Sequence, residues 1–245
     1  MLRGPARLAL AVVVGAGACN DRPPMMPAPE FVARVAEPRE AGAGGRPPLL
    51  VLLHGIGADE NDLLPLAPML DPRPKVVSLR APRDYPVGYA WFQIDFGADG
   101  TVRPHLDQAK QSLADLVRWL ESAPARYGTD PERTYLLGFS QGAMMSLGVL
   151  RTAPELLAGV IALSGRDPEG LFPLTAPAEA VAAVPLLVAH GTLDDLLPVE
   201  NGRRTRAAFE GLSRDFTYRE FPVGHGIDED EIRWVREWLR ARLDA

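Results

Sequence analysis

Residues 134–151 read TYLLGFSQGAMMSLGVLR. The first six, Thr134–Phe139, are nearly continuously apolar, the pattern of a strand covered on both faces. Residues Gln141–Arg151 read as a helix. Between them Gly138-Phe139-Ser140-Gln141-Gly142 fits G-x-S-x-G at a strand-to-helix turn, the context that motif requires. So tight a turn holds its serine in a strained backbone conformation. Side chains two residues before and after would collide unless small, which Gly138 and Gly142 satisfy. The turn lifts the Ser140 hydroxyl clear of the sheet. The helix behind it aims its first N–H groups at any negative charge that develops there.

Outward from this stretch, strands and helices alternate. Leu49–Leu53, Lys75–Leu79, Gly159–Leu163, Leu186–His190 and Thr217–Phe221 read as strands, and Phe31–Ala36 as a first one. Asp107–Arg126, Val199–Leu212 and Asp228–Leu243 read as helices. In the first of these, Ala109, Leu113, Leu116, Val117 and Leu120 share one face. Such alternation predicts an α/β domain over residues 31–245, a mostly parallel sheet with helices on both faces and little room for a lid. Ligands of such sheets bind at the carboxyl ends of the strands.

The 245 residues are 47% apolar and 24% charged, enough to bury a core in a single domain. The formal net charge of -6 argues against nucleic acid as a partner, since phosphates demand a basic face. Cys19 is the single cysteine, which excludes an internal disulfide and a cysteine metal cluster. Residues 1–19 read as a signal segment: Arg3 and Arg7 precede the apolar run Leu8–Ala18, too short for a membrane span. Its small residues before Cys19 suggest export and a membrane tether through lipidation of that cysteine. Translation from Met25 or Met26 is the alternative and would leave a cytoplasmic protein. Residues 20–30 are Pro-rich and read as a tether.

A serine hydroxyl is a poor nucleophile at neutral pH and needs a base. Of the histidines His54, His105, His190 and His225, only the last two follow Ser140, as the order Ser, acid, His requires. His190 ends an apolar strand and reads as a packed residue. His225 lies in Pro222-Val223-Gly224-His225-Gly226, a loop with glycine on both sides, and is the expected base. The acid that orients it should follow the strand ending at His190, where Asp194 and Asp195 stand side by side. Spacing does not separate them. Oxyanion donors are expected from the Gln141 N–H and from the Ile56 N–H in His54-Gly55-Ile56-Gly57, with His54 bracing that loop. Tyr89, Trp91, Phe92, Leu197 and residues 171–174 are candidates for the walls of a substrate pocket, Trp91 and Leu197 foremost. Asp59, Glu60 and Asp62 read as a solvated, helix-capping turn.

These motifs together resemble the phospholipase/carboxylesterase family of α/β hydrolases, which includes acyl-protein thioesterases and small bacterial carboxylesterases. The resemblance rests on His54-Gly55-Ile56-Gly57 with Asp59 and Asp62, on Ala90-Trp91-Phe92 and on Gly138-Phe139-Ser140-Gln141-Gly142-Ala143-Met144-Met145. It continues through His190-Gly191-x-x-Asp194-x-x-x-Pro198 to Gly224-His225, and so runs from about Arg46 to the C-terminus. It implies the α/β-hydrolase fold and a triad of Ser140, Asp194 and His225, and places the acid at Asp194. It departs at Gln93, where the family usually has Asp. The expected activity is hydrolysis of short- to medium-chain carboxylic esters through an acyl-enzyme, with a small-molecule ester as partner and neither metal nor cofactor. Acyl thioesters or lysophospholipids are alternative substrates for the same residues. A peptidase, an amidase and a non-catalytic surface binding protein are the remaining readings.

Overall fold

Almost continuous apolar runs cannot show either side of a strand to water, so they must lie inside a sheet covered twice. The computed structural model describes residues 29–40, 45–97 and 102–244 and places these runs at the centre of one sheet. Residues 1–28, on which the expected signal segment with Cys19 and most of the expected Pro-rich tether fall, lie outside the described residues. In chain order come β1 (Ala33–Ala36), β2 (Leu49–Leu53), a 3-10 helix (Leu64–Met69) and β3 (Lys75–Leu79). Two small hairpins follow, β4 (Arg83–Asp84) with β5 (Tyr89–Ala90), and β6 (Ile94–Phe96) with β7 (Val102–Pro104). Then come α1 (Leu106–Tyr127), β8 (Thr134–Phe139), α2 (Gln141–Thr152), β9 (Gly159–Leu163) and α3 (Ala178–Ala183). The chain closes with β10 (Leu186–Gly191), α4 (Glu200–Phe209), β11 (Phe216–Phe221) and α5 (Glu229–Leu243).

The seven main strands lie in the order β1-β3-β2-β8-β9-β10-β11. Only β1, paired with β3, is antiparallel. Side chains alternate across a strand, so each buried run serves two cores. Leu49, Val51 and Leu53 pack with Leu116, Trp119 and Leu120 of α1 and Leu147 of α2. Leu50 and Leu52 pack on the opposite face with Ile232, Val235 and Leu239 of α5. Between β2 and β3 the chain makes only a 3-10 helix, consistent with Pro65 and Pro68, which lack the N–H an α-helix would use. Helix α4 stops at Phe209, short of the expected Leu212. Among the described residues no helix is long and apolar enough to cross a membrane.

The start of α5 holds a buried carboxyl group. Asp228 caps the helix by accepting the Glu231 N–H at 2.8 Å. The Glu231 side chain itself is buried, and neither carboxyl oxygen has a hydrogen-bond partner among the described residues. Burial, with the charge of Asp228 adding to it, pushes its pKa up to about 8. Between the ordinary carboxylate range and that value the folded chain holds a proton that the unfolded chain has lost. Stability from this group is therefore complete in mild acid, falls as pH rises, and is gone above about 8. Thermal melts of wild type and Glu231→Gln should diverge across this window. The variant should be the more stable at pH 8.5 and should lack the advantage at pH 5. Parallel curves would contradict the assignment.

Candidate active site

Ser140 sits at the turn from β8 to α2 with φ 53° and ψ -114°, a positive-φ conformation costly for any residue with a Cβ. The glycines around it are dictated by backbone contact. A Cβ on Gly138 would lie 2.2 Å from the Gly142 carbonyl oxygen, and one on Gly142 would lie 1.9 Å from that of Leu53. The start of α2 is thus pressed onto the end of β2.

Parallel register then brings the loops together. Leu53 is level with Gly138, so the loop after β2 runs beside the elbow. A Cβ on Gly55 would stand 3.3 Å from that of Ser140. Gly57 N–H donates to Tyr89 O at 2.8 Å, and Tyr89 N–H returns a bond to Ala58 O at 2.8 Å. These bonds leave the Ile56 and Gln141 N–H groups without acceptors among the described residues. His54 braces this loop as expected. Its Nδ1–H donates to Gly55 O at 2.6 Å while Nε2 accepts the Ala81 N–H at 3.0 Å. Burial lowers its pKa, in keeping with that neutral tautomer.

On the other side of Ser140, β10 and β11 end level, with Gly191 opposite Phe221. His225, in the loop after β11, reaches back so that Nε2 lies 2.9 Å from Ser140 Oγ. Its Nδ1 lies 2.7 Å from Asp194 Oδ2. The Phe139 ring backs the imidazole at 5.0 Å between centroids. Asp194 is buried, and its Oδ1 accepts the N–H groups of Leu196 at 3.0 Å and Leu197 at 2.7 Å. Asp195 is exposed and makes no bond to His225. Of the adjacent pair, only Asp194 meets the imidazole. The arrangement can move a proton from Ser140 Oγ to His225 Nε2 while the carboxylate stabilises the resulting imidazolium.

Two expectations fail. Like Phe92 beside it, Trp91 is fully buried, so it lies beneath the site and presents no surface to a substrate. Its indole N–H donates to His54 O at 3.0 Å and its ring packs against Phe31 and His54. The acidic turn is not fully solvated either. Glu60 is buried and clamped by Arg80 through bonds of 2.6 and 2.8 Å, which holds its carboxyl below the usual range. Leu197 is half-buried on the acid loop, while Leu193 and Leu196 beside it are exposed.

Nothing in the spacing of the motifs foretold what the Gln141 side chain does. Its amide accepts the Trp91 N–H and donates to Phe92 O, both at 2.7 Å, tying residues 91–92 to the elbow. The one available signal was a polar side chain directly after the serine, ahead of four residues without polar side chains, Gly142 to Met145.

Residues 34–243 match the family model described as Phospholipase/Carboxylesterase. The chain belongs to that family. Among similar solved structures, that of esterase PE8 is 31% identical, covers 86% of this chain and 99% of that one, and superposes with a TM-score of 0.71. Esterase YpfH of Escherichia coli is 26% identical over 200 residues, 78% of this chain and 82% of that protein. Acyl-protein thioesterase 1 of Gibberella zeae is 32% identical over 119 residues, 47% of this chain and 51% of that protein. The chain spans about half the length of this protein and of the Arabidopsis thaliana carboxylesterase SOBER1, which it also matches. The family's α/β-hydrolase fold is the one described above.

Proposed function

We propose that the chain is a serine carboxylesterase that cleaves short- to medium-chain esters through an acyl-enzyme. The observation that supports this reading most is the unbroken line from Ser140 Oγ through His225 to Asp194, with contacts of 2.9 and 2.7 Å. Family membership supports the reaction class.

In the proposed reaction, His225 Nε2 takes the Ser140 proton as Oγ attacks the ester carbonyl. The carbonyl electron pair moves onto oxygen, which the Ile56 and Gln141 N–H groups receive. Collapse expels the alkoxide as the imidazolium protonates it, leaving Ser140 acylated. Water, deprotonated by the same imidazole, repeats the sequence, releases the acid and restores the serine. Asp194 keeps a hydrogen on Nδ1, in the neutral imidazole and in the imidazolium alike.

A thioester would be cleaved by the same steps with a thiolate leaving group, and the naming of the fungal relative as a thioesterase favours it as the second reading. Rates on matched p-nitrophenyl esters, acyl thioesters and anilides, each across acyl lengths, test the proposal. Ester or thioester turnover should exceed anilide turnover by orders of magnitude and fall away for long chains. Absence of ester and thioester turnover, or faster anilide cleavage, would contradict it.

A further inference from the structure

We infer that His190, at the end of β10, is a positioning residue that fixes the Asp194 carboxylate through the backbone of its own loop; this rests on the assignment of Asp194 as the triad acid. Residues 192–199 connect β10 to α4 without forming a helix or strand of their own. Asp194 Oδ1 is held from within, by the Leu196 and Leu197 N–H groups. From outside the loop, Thr192 and Leu193 bond to Phe221 and Val223, His225 meets Asp194 Oδ2, and His190 meets the Leu197 carbonyl, on the residue whose N–H holds Oδ1.

The His190 side chain is fully buried, and its Nε2 lies 2.7 Å from the Leu197 carbonyl oxygen. Because that partner can only accept, Nε2 carries the hydrogen. Leu197 therefore links the two groups: its N–H binds the acid and its carbonyl takes the imidazole. The same Nε2 stands 3.5 Å from Asp194 Oδ2, the oxygen that meets His225. The acid thus lies between two imidazoles, one that it orients and one that sets its loop.

Packing closes one side of the His190 ring. Gly202 of α4 lies against it so closely that a Cβ there would stand 2.6 to 2.8 Å from His190 side-chain atoms. Nδ1, on that side, has no partner among the described residues. A buried nitrogen left bare is a cost, and it places the ring's one N–H at the acid loop. A merely space-filling role would be served as well by leucine.

The test is steady-state kinetics on p-nitrophenyl butyrate for His190→Leu, His190→Gln and Asp194→Ala, and for the His190→Leu/Asp194→Ala pair. Leucine removes the donor, whereas the glutamine amide can place an N–H near the Nε2 position. Displacing the acid by about an ångström should lower kcat for His190→Leu by roughly 30- to 100-fold with KM within about twofold. His190→Gln should recover to within about fivefold of wild type, since it restores a neutral hydrogen bond. In the Asp194→Ala background, His190→Leu should cost nothing more, because the group it positions is gone. Wild-type kcat in a folded His190→Leu variant, no recovery by glutamine, or an equal loss in the Asp194→Ala background would overturn the inference. If His190→Leu does not fold, His190→Asn replaces it. Its amide stops near the Nδ1 position, so a low kcat for Asn beside a high one for Gln supports the inference, and equal values overturn it. Wild-type turnover by Asp194→Ala alone would instead remove the triad assignment underneath.

Discussion

Replacing Ser140 by alanine should lower kcat on p-nitrophenyl esters by roughly 10⁴- to 10⁶-fold, the range seen when one member of a cooperating triad is lost. Alanine cannot form an acyl-enzyme, and what remains is water attack assisted by the N–H donors of Ile56 and Gln141. KM should change little, because only one oxygen is removed. The fold should persist. The side-chain bond lost is that to His225, and alanine meets the same backbone strain at φ 53° that serine already bears. Initial rates on protein whose circular dichroism and melting temperature match wild type decide the matter. Activity within about tenfold of wild type, a difference of only ~1.4 kcal/mol in the barrier, would exclude Ser140 as the nucleophile.

The second large effect concerns folding. Gly142→Val should leave no soluble native protein. A Cβ at Gly142 would lie 1.9 Å from Leu53 O, 2.5 Å from Leu53 C and 2.8 Å from His54 O, all backbone atoms at the end of a central strand. A side chain can rotate away from a clash, whereas these atoms move only if β2 leaves its ladder with β8. Displacement of that order costs more than ~4–5 kcal/mol, a large share of the ~5–15 kcal/mol that stabilises a typical domain. Gly170 supplies the control: nothing lies within 4 Å of a Cβ there, and its φ is not positive. Gly170→Ala should melt within about 2 °C of wild type, as surface changes usually lie within ~0.5 kcal/mol. Soluble yield and thermal melts of the two variants give the result, and a native-like Gly142→Val would show that the elbow is not as tight as described.

Ser140 and Gly142 were both legible in the sequence because the constraint on them is local. A strand, a turn and a helix follow one another within 18 residues (134–151), and steric exclusion across the turn demands glycine. Lys75–Leu79, Thr134–Phe139 and Gly159–Leu163 were legible for a related reason, since burial on both faces leaves an apolar run with sharp ends. What escaped depends on contacts distant in the chain. The hairpins β4–β5 and β6–β7 have strands of two or three residues, too short for any period to show. Glu60 looked like a surface acid because its partner Arg80 is 20 residues away. Trp91 looked like a pocket wall because its motif belongs with that of the serine, whereas the bonds that bury it come from His54 and Gln141. The choice between Asp194 and Asp195 followed the family pattern. In the structure it turns on a loop in which Asp194 folds inward onto the N–H groups of Leu196 and Leu197 and Asp195 is left facing water.

Catalysis is assigned to a single serine made nucleophilic by His225, and labelling with a fluorophosphonate tests that most directly. Such reagents lose fluoride as an activated serine oxygen attacks phosphorus, and they leave ordinary hydroxyls untouched. Peptide mass mapping should find one adduct per chain, on Ser140, and the adduct should be absent from His225→Ala. No adduct, an adduct on another serine such as Ser164, or equal labelling without His225 would contradict the assignment.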